Sequence, residues 1–83
     1  MKTRKFRLGN KNMVGARVTA ARKKLGLKQV ELLARLQVEG INISTSTLSD
    51  LEGQRRPVSD FELSALSKIL NVSVDWLLGK EDQ

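Results

Sequence analysis

Residues 44–52 read "STSTLSDLE", five hydroxyl side chains interleaved with two leucines and two acids. A helix advances about 100° per residue. That brings Thr45, Ser46, Ser49 and Asp50 into an arc of about 140° and sends Leu48 and Leu51 to the opposite side. Ser44 suits the N-cap, because its hydroxyl can accept one of the orphan backbone N–H groups at a helix start. The segment is expected to bury its leucines and present a face of short polar side chains. Solvated helix faces ordinarily carry Lys, Glu or Gln, which form helix better than Ser and Thr do. Four short side chains together point to close approach by another surface, and Ser and Thr hydrogen-bond both base edges and phosphates. The plainer alternative is that Ser44 caps, Leu48 and Leu51 pack, and the remaining positions carry no function.

Working outward, Val14, Val18, Ala21 and Leu25 recur at helical spacing after Asn12, a capping residue, and Gly26 suits the left-handed turn that ends such a helix. A second helix is expected from Lys28 and Gln29, burying Leu32, Leu33 and Leu36 and stopping at Gly40. The loop "GINI" then offers Ile41 or Ile43 to the core. Beyond residue 52, Gly53 and the only proline, Pro57, close the third helix. Ser59 and Glu62 form the S-x-x-E capping box of a fourth, whose apolar face is Leu63, Leu66, Ile69 and Leu70. Asn71 fits its end, Ser73 caps a last short helix, "VDWLL", with Trp76 as a core anchor, and Gly79 stops it. No segment alternates like a strand, so the expected class is all-α with five helices.

Eighty-three residues at 40% hydrophobic suit one small domain. The chain has no cysteine and no histidine. That removes thiolate sites, the commonest metal ligand and the usual general base, and argues against a metal or triad enzyme. No window approaches the ~20 apolar residues of a membrane span. Charge is uneven. Residues 1–35 hold eleven Lys and Arg against Glu31 alone, a balance of +10, and residues 36–83 hold four against eight acids, a balance of −4, which sum to the net +6. Such asymmetry suits an extended anionic partner, nucleic acid above all, with a solvated arm and an ordinary basic helix as the bland alternative. The expected division is a flexible basic arm over 1–12, a domain over 13–79 and a tail over 80–83.

The stretch "RKKLGLKQVELLARL", followed by "STSTLSDLE", "RRP" and "LSALSKILNVSVDWLLG", resembles the helix-turn-helix domain of lambdoid phage repressors and Cro, the XRE group of bacterial regulators. The resemblance covers residues 14–79. It implies a five-helix, lambda-repressor-like domain whose third helix lies in the major groove. It implies base contacts from Thr45, Ser46, Ser49 and Asp50, the arc that the helix geometry also selects. It implies backbone contacts from Lys28, Gln29, Thr47, Arg55 and Arg56, and a buried ion pair of Arg22 with Glu52. The expected protein is a repressor-like regulator without catalytic activity, cofactor, metal or small-molecule ligand. It would act in the cytoplasm of a bacterium or for a phage, on double-stranded DNA, as a homodimer on a near-palindromic operator.

Two features depart from that pattern. Seven residues, "QVEGINI", separate Leu36 from Ser44 where the family usually has about two, so helix two is expected to run on and the turn to be long. The polar face also lacks the Arg, Gln or Asn that make bidentate base contacts. Asp50 can accept from a cytosine amino group but repels phosphate. Affinity would then rest on Lys and Arg elsewhere. The basic arm either tracks the DNA or stands idle. The alternative function is a helix-turn-helix scaffold serving as a protein-interaction module, antitoxin- or antirepressor-like, through the 37–43 loop or the acidic carboxyl half.

Overall fold

A computed structural model describes residues 9–81. Among them lie five helices and no strand: α1 (Gly15–Lys24), α2 (Gln29–Val38), α3 (Thr45–Glu52), α4 (Asp60–Leu70) and α5 (Val74–Leu77). The core draws on every helix. Val18, Leu32, Leu36, Leu48, Leu51, Leu66 and Leu77 are fully enclosed, with Val14, Ala21, Ala65 and Leu70 around them. Burying a Val or Leu side chain contributes about 1.5–3 kcal/mol, so these leucines supply most of the drive that sets the helices against one another.

The caps follow from local chemistry. The hydroxyls of Ser44, Ser59 and Ser73 accept from the backbone N–H groups of Thr47, Glu62 and Trp76. Glu62 returns the bond to the Ser59 N–H at 2.9 Å, which completes the capping box. Asn71 ends α4 in the left-handed region at φ 57°, where Asn is among the few tolerated side chains. Helix α2 runs two residues past Leu36, to Val38, before Gly40 reverses the chain at φ 86°. Ile41 and Ile43 both pack partly against the core from the long turn that follows.

Two expectations change. Leu25, fourth in the apolar stripe of α1, is 48% exposed: it is the C-cap residue, where the chain already leaves the helix. Gly53 ends α3 as expected, at an ordinary φ of −84°, and the left-handed conformation falls on Gln54 at φ 61°. Residues 9–12, read as the end of a flexible arm, are pinned to the segment after α3. The Gly9 N–H donates to the Gly53 carbonyl (2.8 Å) and the Lys11 N–H to that of Gln54 (2.9 Å). Asn12 joins this seam to α1. Its Oδ1 accepts from the N–H groups of Val14 (3.0 Å) and Gly15 (2.8 Å), while Nδ2 donates to the carbonyls of Leu51 (3.1 Å) and Arg56 (2.8 Å). The arm cations Lys2, Arg4, Lys5 and Arg7 lie outside the described residues.

Candidate nucleic-acid interface

The buried and exposed sides of α3 are as distinct as its composition. Leu48 and Leu51 are sealed in the core, whereas Thr45 and Ser46 are exposed and Ser49 and Asp50 half-exposed. The helix therefore presents a low surface of hydroxyls ending in a carboxylate, against which the long Arg55 side chain lies.

What fixes the pitch of that surface is Glu52. Its side chain is 5% exposed and meets that of Arg22, 10% exposed, at 2.8 Å. Arg22 donates from Nε to Oε2 (2.8 Å) and from Nη2 to Oε1 (3.0 Å), a two-point contact that sets angle as well as distance. Each of the other polar atoms of the pair also has a partner. Thr19 Oγ1 and Gln29 Nε2 each donate to Oε1 at 3.0 Å, and Arg22 Nη1 donates to the Leu27 carbonyl at 2.8 Å. One carboxylate thus joins the body of α1, the first residue of α2 and the last of α3. At Gly15 the backbones of α1 and α3 come so close that an added Cβ would fall 2.4 Å from the Leu51 carbonyl oxygen.

The other candidate residues divide. Lys28 is exposed at the start of α2, its N–H accepted by the Glu31 carboxylate at 2.7 Å. Gln29 sits half-exposed beside it, its amide already engaged with Glu52. Thr47 Oγ1 lies 2.8 Å from the Ser44 hydroxyl, at the cap of α3. Arg55 is on the α3 side and contacts Asp50. Arg56 turns the other way, with Nη2 2.6 Å from Glu62 Oε2 and Nη1 donating to the Pro57 carbonyl. The two adjacent arginines therefore face different neighbours.

Burial pushes the Glu62 carboxyl up. The Arg56 hydrogen bonds and charge, with the N–H and hydroxyl of Ser59, outweigh it and leave the pKa below its ordinary 4.5.

Sequence reasoning missed Gly53 and the bracing half of Asn12. Gly53 read as a helix stop, and nothing local shows that the Arg55 guanidinium lies across it. Asn12 read as a cap, and nothing local distinguishes an Asn that caps from one that also braces a distant turn. Among the described residues no group of acids could hold a metal ion, and no helix is long and apolar enough to cross a membrane.

Comparison with known proteins sets this geometry among relatives. Residues 18–77 match the family described as Helix-turn-helix. The transcriptional regulator ImmR of Bacillus subtilis (strain 168), named as HTH-type, is 38% identical over 69 residues, 83% of this chain and 50% of that protein. The chain thus spans about half the length of that curated relative. The crystal structure of the P22 c2 repressor protein in complex with synthetic operator 9T superposes at a TM-score of 0.65 and 33% identity, over 84% of this chain and 98% of that one. The family match takes in α2, α3 and the turn between them, with most of α1 and all of α4 and α5, and on that ground the chain belongs to the XRE-type helix-turn-helix family of the lambdoid repressors.

Proposed function

We propose that this protein is a sequence-specific DNA-binding regulator of transcription that places α3 in the major groove. The observation that carries the reading is the division of α3. Its apolar side is locked by Leu48, Leu51 and the Arg22–Glu52 pair, and its short polar side is left open. Thr45, Ser46, Ser49 and Asp50 are the base-reading positions. Lys28, Gln29 and Thr47 lie around them for phosphate contact, Arg55 meets the backbone only with donors it does not give to Asp50 and Ser49, and Arg56 only by leaving Glu62. Kinship with a transcriptional regulator and with an operator-bound repressor supports the reading. The working form is a homodimer on a near-palindromic operator in a bacterial or phage setting, with recognition helices about 34 Å apart, one turn of DNA.

A second reading, a scaffold that binds another protein, draws on the apolar side chains that α2 leaves in solvent, Val30 at 61% and Val38 at 85% exposed. Selection from a random duplex library, repeated across a salt series, separates the two. A recovered consensus with a steep fall of affinity in salt is expected. Sequence-blind binding, or none, would favour the scaffold.

A further inference from the structure

On the reading just given, α3 meets a polyanion with a carboxylate on its docking face, which by itself opposes binding. The structure pairs that carboxylate with an arginine. Arg55 lies beyond the helix, yet its side chain folds back over the helix end. Nε donates to Asp50 Oδ1 at 3.1 Å and Nη2 to the Ser49 carbonyl at 3.2 Å. The Arg55 N–H donates to the Asp50 carbonyl at 2.8 Å, so the backbone closes the same loop.

The return path crosses Gly53. A Cβ added there would fall 2.1 Å from Nη1 and 2.5 Å from Cζ of Arg55. Gly53 has φ −84°, open to any residue, so the backbone does not require glycine. The guanidinium occupies the space that a side chain would need.

We infer that Gly53, Arg55 and Asp50 form one specificity device, in which Arg55, seated over Gly53, neutralises the Asp50 carboxylate and orients it to accept from the N4 amino group of a cytosine. The inference rests on α3 being the base-reading helix. Cytosine is selected because a carboxylate only accepts. Guanine and thymine offer acceptors on their major-groove edges, and adenine sets its N7 acceptor beside its N6 donor. An ionised carboxylate has about four lone-pair sites, so the arginine on one flank leaves capacity for a base on the other. Arg55 is a positioning residue: it acts through Asp50.

The test is duplex selection by the wild type and four variants, with thermal melting measured on each. Wild type is expected to show one consensus position with cytosine preferred about tenfold, at the low end of what a good base contact supplies. Asp50→Asn moves that position to adenine, because an amide both accepts and donates, and leaves the others alone. Arg55→Ala flattens the same position and weakens binding overall. Arg55→Lys restores overall binding without the cytosine preference, since an ammonium has no planar fork to span Asp50 and the Ser49 carbonyl.

Gly53→Ala is the most telling variant. The obstacle is the far end of a flexible side chain, so melting should hold while Arg55 loses its seat. The preference then flattens although both charged residues remain. An unchanged base profile in Gly53→Ala and Arg55→Lys overturns the device and leaves DNA binding standing. If Gly53→Ala melts early, Arg55→Lys alone decides. A wild type that selects no consensus overturns the device and the DNA-binding reading together.

Discussion

Glu52 takes hydrogens from Arg22 Nε and Nη2, Thr19 Oγ1 and Gln29 Nε2. Removing a buried carboxylate strands its partner, and for Glu52→Ala the expected loss is about 3–5 kcal/mol. Replacing both ends with apolar residues, Arg22→Met with Glu52→Leu, should cost less than Glu52→Ala alone, because no charge is left without a partner. Urea titration of the three proteins checks the order; a Glu52→Ala loss below about 1 kcal/mol would mean that the pair is solvated as a surface pair is. Glu62 makes a different prediction, in pH. Its folded pKa is depressed below 4.5, so the stability it contributes is present above that value and is lost as pH falls through the lower, folded pKa. Glu62→Gln should therefore be less stable than wild type near neutrality and lose less on acidification below about 4.5. Parallel acid-limb slopes of unfolding free energy in the two proteins would show that Arg56 and Glu62 are not coupled.

The elements were legible wherever their causes are local. Ser44, Ser59, Ser73 and Asn71 do at the helix ends what their side chains can do within three or four residues. The polar arc of α3 follows from helical rotation alone, and so did the residues proposed to meet a base. What escaped depends on partners far along the chain. Leu25 continues the stripe of α1 in spacing, but the chain turns before it can join the core. Gly53 gave no sign that a guanidinium would lie across it, because that depends on how Arg55 folds back. Asn12 carries the clearest case, since Oδ1 starts α1 while Nδ2 holds the carbonyls of Leu51 and Arg56. Asn12→Asp separates those roles. The acceptor that caps α1 survives, but both donors go, and unsatisfied carbonyls cost about 1–3 kcal/mol each when desolvated. A destabilisation of about 2 kcal/mol is expected, with amide exchange faster at Gly9 and Lys11, whose N–H groups pair along the same seam. Wild-type stability in Asn12→Asp would reduce Asn12 to its capping role.

At the scale of the whole molecule the charge asymmetry becomes a matter of placement. The amino half carries the cations and the carboxyl half most of the acids, yet the two halves meet where Gly9 and Lys11 pair with Gly53 and Gln54. A Cβ on Gly9 would fall 2.3 Å from the Gln54 carbonyl oxygen, so the backbones are in direct contact. Gly9 consequently lies beside the end of α3, at the edge of the face proposed to read DNA. Each phosphate neutralised by a cation contributes about 0.9 to the slope of log affinity against log salt on duplex DNA. Deleting residues 1–8 removes Lys2, Arg4, Lys5 and Arg7 and keeps the seam intact. Such a protein should melt like wild type, bind its selected duplex more weakly, and show a slope shallower by about 0.9 for every arm cation that contacts a phosphate. The consensus of bases should stay the same if the arm follows the backbone. A change confined to A·T-versus-G·C preference at the flanks would put the arm in the minor groove, where that distinction is what the base edges offer. An unchanged affinity and slope would show that the arm takes no part, and that the cations of the folded domain carry binding without it.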